Sequence, residues 1–212
     1  MKKHWLALTK LAQGDPVAAK SLLEQVPVEY SPGDWIWDAR FKTALYLRDY
    51  DAANRLIAAT PAGGDRWLEG QIARARGDKQ KAQAAFAAAR AKMEAQQGDK
   101  AKDAPYFADI AKLDAGLGRK EEAISEARRA VELLPIAESA VSGPDNIANL
   151  ALVYAWTGER DRALEQLEKI ATVPTSPGSP TYGDFLLNPC WDDLRGDKRF
   201  DKIVAAAKAA SK

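Results

Sequence analysis

Apolar positions recur at helical spacing along most of the chain, and the strict alternation that marks strands is weak throughout. The pattern is clearest over residues 107–173. There FADIAKLDAGLGRKEEAISEARRAVELLP is followed, after a short connector, by NIANLALVYAWTGERDRALEQLEKIATV. Each half is an apolar-periodic helix, a Gly-centred turn and a second apolar-periodic helix. Gly118 and Gly158 occupy the two turns, and Ala123 and Ala163 follow five residues later. A period of this kind is the signature of stacked repeats, because a lone two-helix unit cannot bury its apolar face.

Aligning the rest of the chain on turn and post-turn alanine gives five units, at 2–26, 34–60, 65–97, 105–135 and 145–173. Their turns fall at Gly14, Arg48, Gly77, Gly118 and Gly158, and their alanines are Ala19, Ala53, Ala82, Ala123 and Ala163. Pro27, Pro32 and Gly33 end the first unit, and Asp34 is an expected N-cap for the second. Residues 60–64 (TPAGG) form a breaker cluster, and the Ala-rich second helix of unit three is expected to run long. The polar stretch 98–105 reads as a loop, Gly143-Pro144 as a turn in the connector, and Asp145 as a cap for unit five. Residues 175–184, TSPGSPTYGD, read as a loop. A short turn near Trp191–Leu194 and a terminal helix over 198–209 should follow, with Phe200, Ile203, Val204 and Ala207 buried.

Small residues have a packing reason. Ala123 and Ala163 are expected to face Ala111 and Ala151, and Gly70 to face Ala82, so that paired helices approach within about 8–10 Å. Ile124, Leu133, Leu150, Tyr154, Leu164 and Leu167 should fill the space farther along.

These units resemble tetratricopeptide repeats. Unit four carries the pattern most fully, with Phe107, Ala111, Gly118, Ala123, Ala130 and Pro135. Unit five keeps Ile147, Leu150, Ala151, Tyr154, Gly158 and Ala163; unit three keeps Gly70, Gly77, Ala82, Phe86 and Ala89; unit one keeps Ala7, Gly14 and Ala19. Unit two departs most, with Phe41 and Arg48 at small or Gly positions. The resemblance implies an all-α, right-handed α-solenoid of about five helix-turn-helix units with a C-terminal capping helix. A narrower resemblance joins AVELLP, the unit-five run and LLNPCWDDLRGDKRFDKIV to the C-terminal repeat region of large bacterial signalling proteins. Those carry a serine/threonine kinase, nucleotide cyclase or winged-helix module upstream. No Gly-rich phosphate loop, HRD or DFG motif or basic recognition helix is present in the sequence.

Charge and composition narrow the function classes. Hydrophobic residues make up 46% and charged residues 29%, and the formal net charge is +1, so the basic footprint of a nucleic-acid binder is missing. The last 18 residues hold six of the 31 Lys and Arg but two of the 30 Asp and Glu, which reads as a solvated helix face. The N-terminal MKKHWLALTKLAQG reads as a mature helix rather than a signal peptide, since Lys10 interrupts the apolar run. No run approaches the roughly 20 apolar residues of a membrane span. A single Cys190 allows no internal disulfide and fits a reducing, cytoplasmic setting.

Enzyme chemistry lacks parts. His4 is the sole histidine and is expected at a frayed surface position; Cys190 has no His beside it in sequence. Asp192-Asp193 and Glu121-Glu122 read as acidic helix starts that suit the dipole. No catalytic residue, metal site or cofactor is expected. The six tryptophans say more. Carried over by position, the tetratricopeptide groove would hold Trp35, Lys42 and Tyr46 from unit two; Trp67, Gln71 and Arg74 from unit three; Lys112 from unit four; and Leu152 and Trp156 from unit five. Aromatic and basic side chains together suit an extended peptide with acidic groups. The expectation is a non-enzymatic protein-interaction scaffold, monomeric or weakly dimeric, that binds no nucleic acid or membrane. The alternative is a sensor or regulatory domain of a larger signalling protein, binding a small ligand or a second copy of itself.

Overall fold

The computed structural model describes residues 2–26, 35–60, 65–96, 98, 103–140, 142–173 and 180–211. It is an all-α solenoid built from five helix pairs and a C-terminal segment. The pairs are α1 (Lys2–Ala12) with α2 (Pro16–Leu23), α3 (Trp35–Tyr46) with α4 (Tyr50–Ala58), α5 (Arg66–Ala75) with α6 (Lys79–Gln96), α7 (Ala104–Leu117) with α8 (Lys120–Leu133), and α9 (Ser142–Trp156) with α10 (Arg160–Ile170). The C-terminal segment comprises α11 (Tyr182–Leu187), a 3-10 helix (Pro189–Leu194) and α12 (Lys198–Ala210). Among the described residues no helix is long and apolar enough to cross a membrane.

All five turns share one backbone conformation. Gly14, Gly77, Gly118 and Gly158 have φ between 77° and 84°, and Arg48 takes the same left-handed region at φ 59°. Arg48 therefore sits in register with the glycines. Aspartates cap several helices: Asp15, Asp49, Asp65 and Asp103 each accept from a backbone N–H in the first turn. The small residues lie where the helices meet, with Ala7, Ala19, Ala39, Ala53, Ala111, Ala123, Ala151 and Ala163 all fully buried. Leu150, Tyr154, Leu164 and Leu167 are buried around them, while Ile124 and Leu133 are half-buried.

Several expectations need correction. Nearest to Gly70 is the ring of Phe86, which also lies against Gly116. A Cβ on Gly70 would fall 2.4 Å from this ring, and one on Gly116 2.5 Å, so the fully buried Phe86 is clamped between α5 and α7. Gly143 and Pro144 lie inside the first turn of α9, which begins at Ser142 rather than after a turn. Pro is tolerated there because the first helical N–H groups have no intrahelical acceptor. Asp145 is a first-turn acid, and the Ser142 N–H is met by Ser139 Oγ at 3.0 Å. His4 is buried, with its ring 5.0 Å from that of Trp5. Residues 182–187, whose first part was expected as loop, form α11; Thr181 and Asp184 make a reciprocal capping box at its start. The breakers at 27, 32–33 and 61–64, the Asp34 cap, residues 99–102 of the expected loop at 98–105 and the stretch 174–179 lie outside the described residues.

Phe41 stands where the other units have Ala or Gly. It is buried and stacks on Trp37 at 5.4 Å, and Trp37 Nε1 donates to the Leu56 carbonyl at the end of α4. Beside this bulkier pair, α2, α3 and α4 leave an open groove of about 420 Å³.

The C-terminal segment completes the core at one end and then turns back. Phe185, Trp191, Leu194, Phe200, Ile203 and Ala207 join the same buried cluster as Leu164, Leu167 and Ile170. α12 packs on α10, where Arg199 pairs with Glu168 and Asp161. α11 reaches α1. A Cβ on Gly183 would fall 1.7 Å from the Leu11 carbonyl oxygen, so only glycine allows this approach.

Candidate protein-interaction face

The first helices α3, α5, α7 and α9 carry the expected groove residues, and the structure divides these into three groups. The first group meets the chain's own C-terminal segment. The Tyr46 hydroxyl, at the end of α3, donates to Asp184. Burial, and then the Asp184 carboxylate, hold the Tyr46 phenol well above its usual range, so it remains a donor. Arg74, in the last turn of α5, pairs with Asp193 and lies 4.4 Å from the Trp156 ring centre. Trp156, the last residue of α9, donates from Nε1 to the Cys190 carbonyl at 3.0 Å. Gln71 lines a small cleft with Leu45, Arg74, Trp156 and the Asn188–Cys190 stretch.

Sequence reasoning missed one member of this set. Arg48 donates through both terminal nitrogens to the two carboxylate oxygens of Asp192, each at 2.8 Å. Its position at a turn hid it, because a turn residue is read for backbone conformation and not for its side chain. Burial disfavours the Asp192 charge, yet Arg48 and Arg195 outweigh that effect and hold the carboxyl below its ordinary range. Arg195 also donates to the carbonyls of Phe185 and Asn188, tying the segment to itself.

The second group closes on itself. Trp67 stacks on Trp156 at 5.7 Å and lies 5.5 Å from Phe86, which joins unit three directly to unit five. The Lys112 ammonium sits 5.3 Å from the Trp67 ring centre and pairs with Asp109 at 2.8 Å. Leu152 is buried in the core. The third group is more open. Trp35 is 53% exposed and Trp5, on α1, 55%, with their rings 5.5 Å apart. Lys42 pairs with Asp38 on the same helix at 3.3 Å.

Arg48, Arg74, Lys42 and Lys112 thus each have a carboxylate partner. Three of the carboxylates on this face, those of Asp184, Asp192 and Asp193, belong to the C-terminal segment. Burial pushes the Cys190 thiol well above its usual range, which makes it a poor nucleophile. Among the described residues no group of three or more His, Cys, Asp or Glu side chains is arranged to hold a metal ion.

One similar solved structure is a thermophilic tetratricopeptide-repeat protein from Thermus thermophilus. It is 21% identical, the match covers 97% of this chain and 96% of that one, and the two superpose with a TM-score of 0.53. No protein-family model matches the sequence, and no curated protein matches it. The likeness is one of fold, and it extends over nearly the whole length of both chains: this protein is built as a tetratricopeptide-type α-solenoid.

Proposed function

We propose that the protein is a non-enzymatic protein-interaction scaffold whose inner face takes an extended segment of a partner. The observation that carries this reading is the pair of half-exposed indoles, Trp5 and Trp35, standing together on the first helices of units one and two. Large aromatic side chains at a surface supply much of the binding energy in protein interfaces. Lys42 lies two turns along the same helix, and Trp67 and Lys112, in contact with each other, stand on the first helices of units three and four. The partner segment is one that carries acidic groups. This preference is supported by the carboxylates that the same face already accepts from residues 184–193. Partner carboxylates would exchange with Asp38 and Asp109 for the two lysines. The protein works as a monomer or weak dimer in a reducing, cytoplasmic setting.

The test is affinity capture with the full chain and its Trp35→Ala, Lys42→Glu variant as parallel baits. Trp35 is half-exposed and outside the buried core, so circular dichroism should show an unchanged fold. Proteins retained by the native bait and lost by the variant support the inner face. The same proteins on both baits would remove it from consideration.

A second reading is favoured by the groove between α2, α3 and α4. Leu23, Val26, Leu47 and Leu56 line it, with Lys20, Arg40 and Arg55 outnumbering Glu24 and Asp49 on its walls. A volume of about 420 Å³ is in the range of small-molecule sites. A regulatory domain of a bacterial signalling protein, sensing a small amphiphile with an anionic head, would use this groove. A Leu56→Trp variant that fills it should then lose ligand-induced stabilisation while the inner face still captures its partner.

A further inference from the structure

A cluster of ionisable groups lies where α6, α7 and α8 meet. At its centre is Asp114 on α7, which is fully buried. It accepts from Arg90 on α6 through Nε at 2.7 Å and through a terminal nitrogen at 3.2 Å, and from Arg119 in the α7–α8 turn at 3.1 Å. Glu126 lies on α8, which packs along α7, and its carboxyl feels the Asp114 charge. Its Oε2 is buried and has no hydrogen-bond donor. Two ionised carboxylates cannot satisfy one another, because each is acceptor-only; with one proton between them, one becomes a donor.

The charges around the pair do not remove this conflict. From α6, Arg90 is shared between Asp114 and Glu94. From α7, Tyr106 adds a phenol, and Arg119 in the turn is half-exposed and points its charge at Asp114 rather than Glu126. On α8 itself Glu122, one turn earlier, adds a second negative charge. α9 presents to α8 the neutral side chains Asn146, held by the Ala130 and Leu134 carbonyls, and Tyr154, held by Arg128.

We propose that Glu126 holds a proton that it donates to Asp114 across the α7–α8 contact, and that losing it loosens the packing of α8 on α7. Burial, followed by the neighbouring Asp114 charge and hydrogen bond, pushes the Glu126 carboxyl up to about 7. Above that pH the Glu126 side chain swings out toward solvent, since its residue is only half-buried. The movement leaves Asp114 with its two arginines and opens the contact between the two helices of the fourth repeat.

The test uses the full chain. The Glu126 side-chain carboxyl is titrated by carbon-13 NMR, and thermal unfolding of the native protein and of Glu126→Gln is followed from pH 5 to 9. Gln keeps the shape and a donor but cannot ionise. The native melting temperature should fall by at least about 3 °C between pH 5.5 and 8.5 relative to the variant. Amide exchange in α8 should quicken over the same range in the native chain alone. A Glu126 carboxyl that titrates in the ordinary carboxylate range, or a variant whose melting temperature follows the native curve, overturns the proposal. If the variant fails to fold, the NMR titration of the native chain decides by itself.

Discussion

Arg48 and Asp192 lie 144 residues apart and are joined by two parallel N–H···O bonds of 2.8 Å. Arg48 is also the residue that takes a left-handed backbone at a turn where the other units have glycine. That conformation costs a non-glycine residue roughly 1–2 kcal/mol. The side chain that incurs the cost is the one that clamps the C-terminal segment.

Three substitutions separate these effects. Asp192→Ala removes the Arg48 pair together with the Arg195 pair and keeps the backbone cost, so it should destabilise by about 0.5–1 kcal/mol for each half-exposed pair lost. Arg48→Gly removes the Arg48 pair and the backbone cost and should be close to neutral in urea unfolding. Arg48→Ala keeps the backbone cost and loses the pair, and should be the less stable of the two Arg48 variants. If Gly and Ala are equal at position 48, the backbone account is wrong.

The segment is held by more than charge. Phe185, Trp191, Leu194 and Phe200 are all buried, and each contributes about 1.5–3 kcal/mol by leaving water. Trp191→Ala should therefore cost about 3–5 kcal/mol, far more than any of the ion pairs. Limited proteolysis should then cut between residues 180 and 197 before it cuts the repeats. Uniform digestion along the chain would show that the segment is not a separately released element.

Phe86 gives a sharper packing test. Its ring is gripped on one side by Gly70 and on the other by Gly116, so it cannot step aside for a new methyl group. Gly70→Ala or Gly116→Ala should each destabilise by about 1–3 kcal/mol by overpacking. Gly70→Ala combined with Phe86→Leu should recover part of the loss. Strict additivity in denaturant midpoints would mean that the ring and the glycine do not share this contact.

Acid should act on the other carboxylates with the opposite sign to the effect expected at Glu126. Asp192, Asp51 and Glu159 are held below their ordinary range by Arg48 with Arg195, by Arg76 and by Lys120 respectively. Such groups stabilise the fold above their unfolded-state values and lose that contribution as pH falls through the folded ones. Melting temperature should thus drop below about pH 4. Asp192→Asn should reduce the steepness of that drop. An unchanged acid limb would place the loss elsewhere.

The repeat frame was legible because its signals are local: a turn glycine, an alanine five residues on, a small partner in the preceding helix. Arg48 fits the frame because register is counted from its neighbours. The return of the C-terminal segment was not legible. Tyr46 and Asp184 lie 138 residues apart, and nothing in either local sequence announces the other. α11 did carry a signal, the Thr181–Asp184 capping pair, but a run rich in Pro, Gly and Ser outweighed it. The role of Phe86 was hidden by the alanines around it, which blur the helical period of α6. Of the expected inner-face residues, those nearest the turns became partners of the C-terminal segment. Position in the repeat carries no hint that Tyr46, Arg74 and Trp156 partner the chain's own C-terminal segment.

Open repeat arrays lengthen and shorten by whole units, since each unit touches only its neighbours. Here a later segment is fastened to the first two repeats: Gly183 rests on the Leu11 carbonyl, and Asp192 is gripped by the second repeat. Duplicating or deleting one repeat would carry each half of these contacts away from the other. The count of repeats spanned by these two contacts is accordingly tied to a fastening that lies outside the repeats themselves.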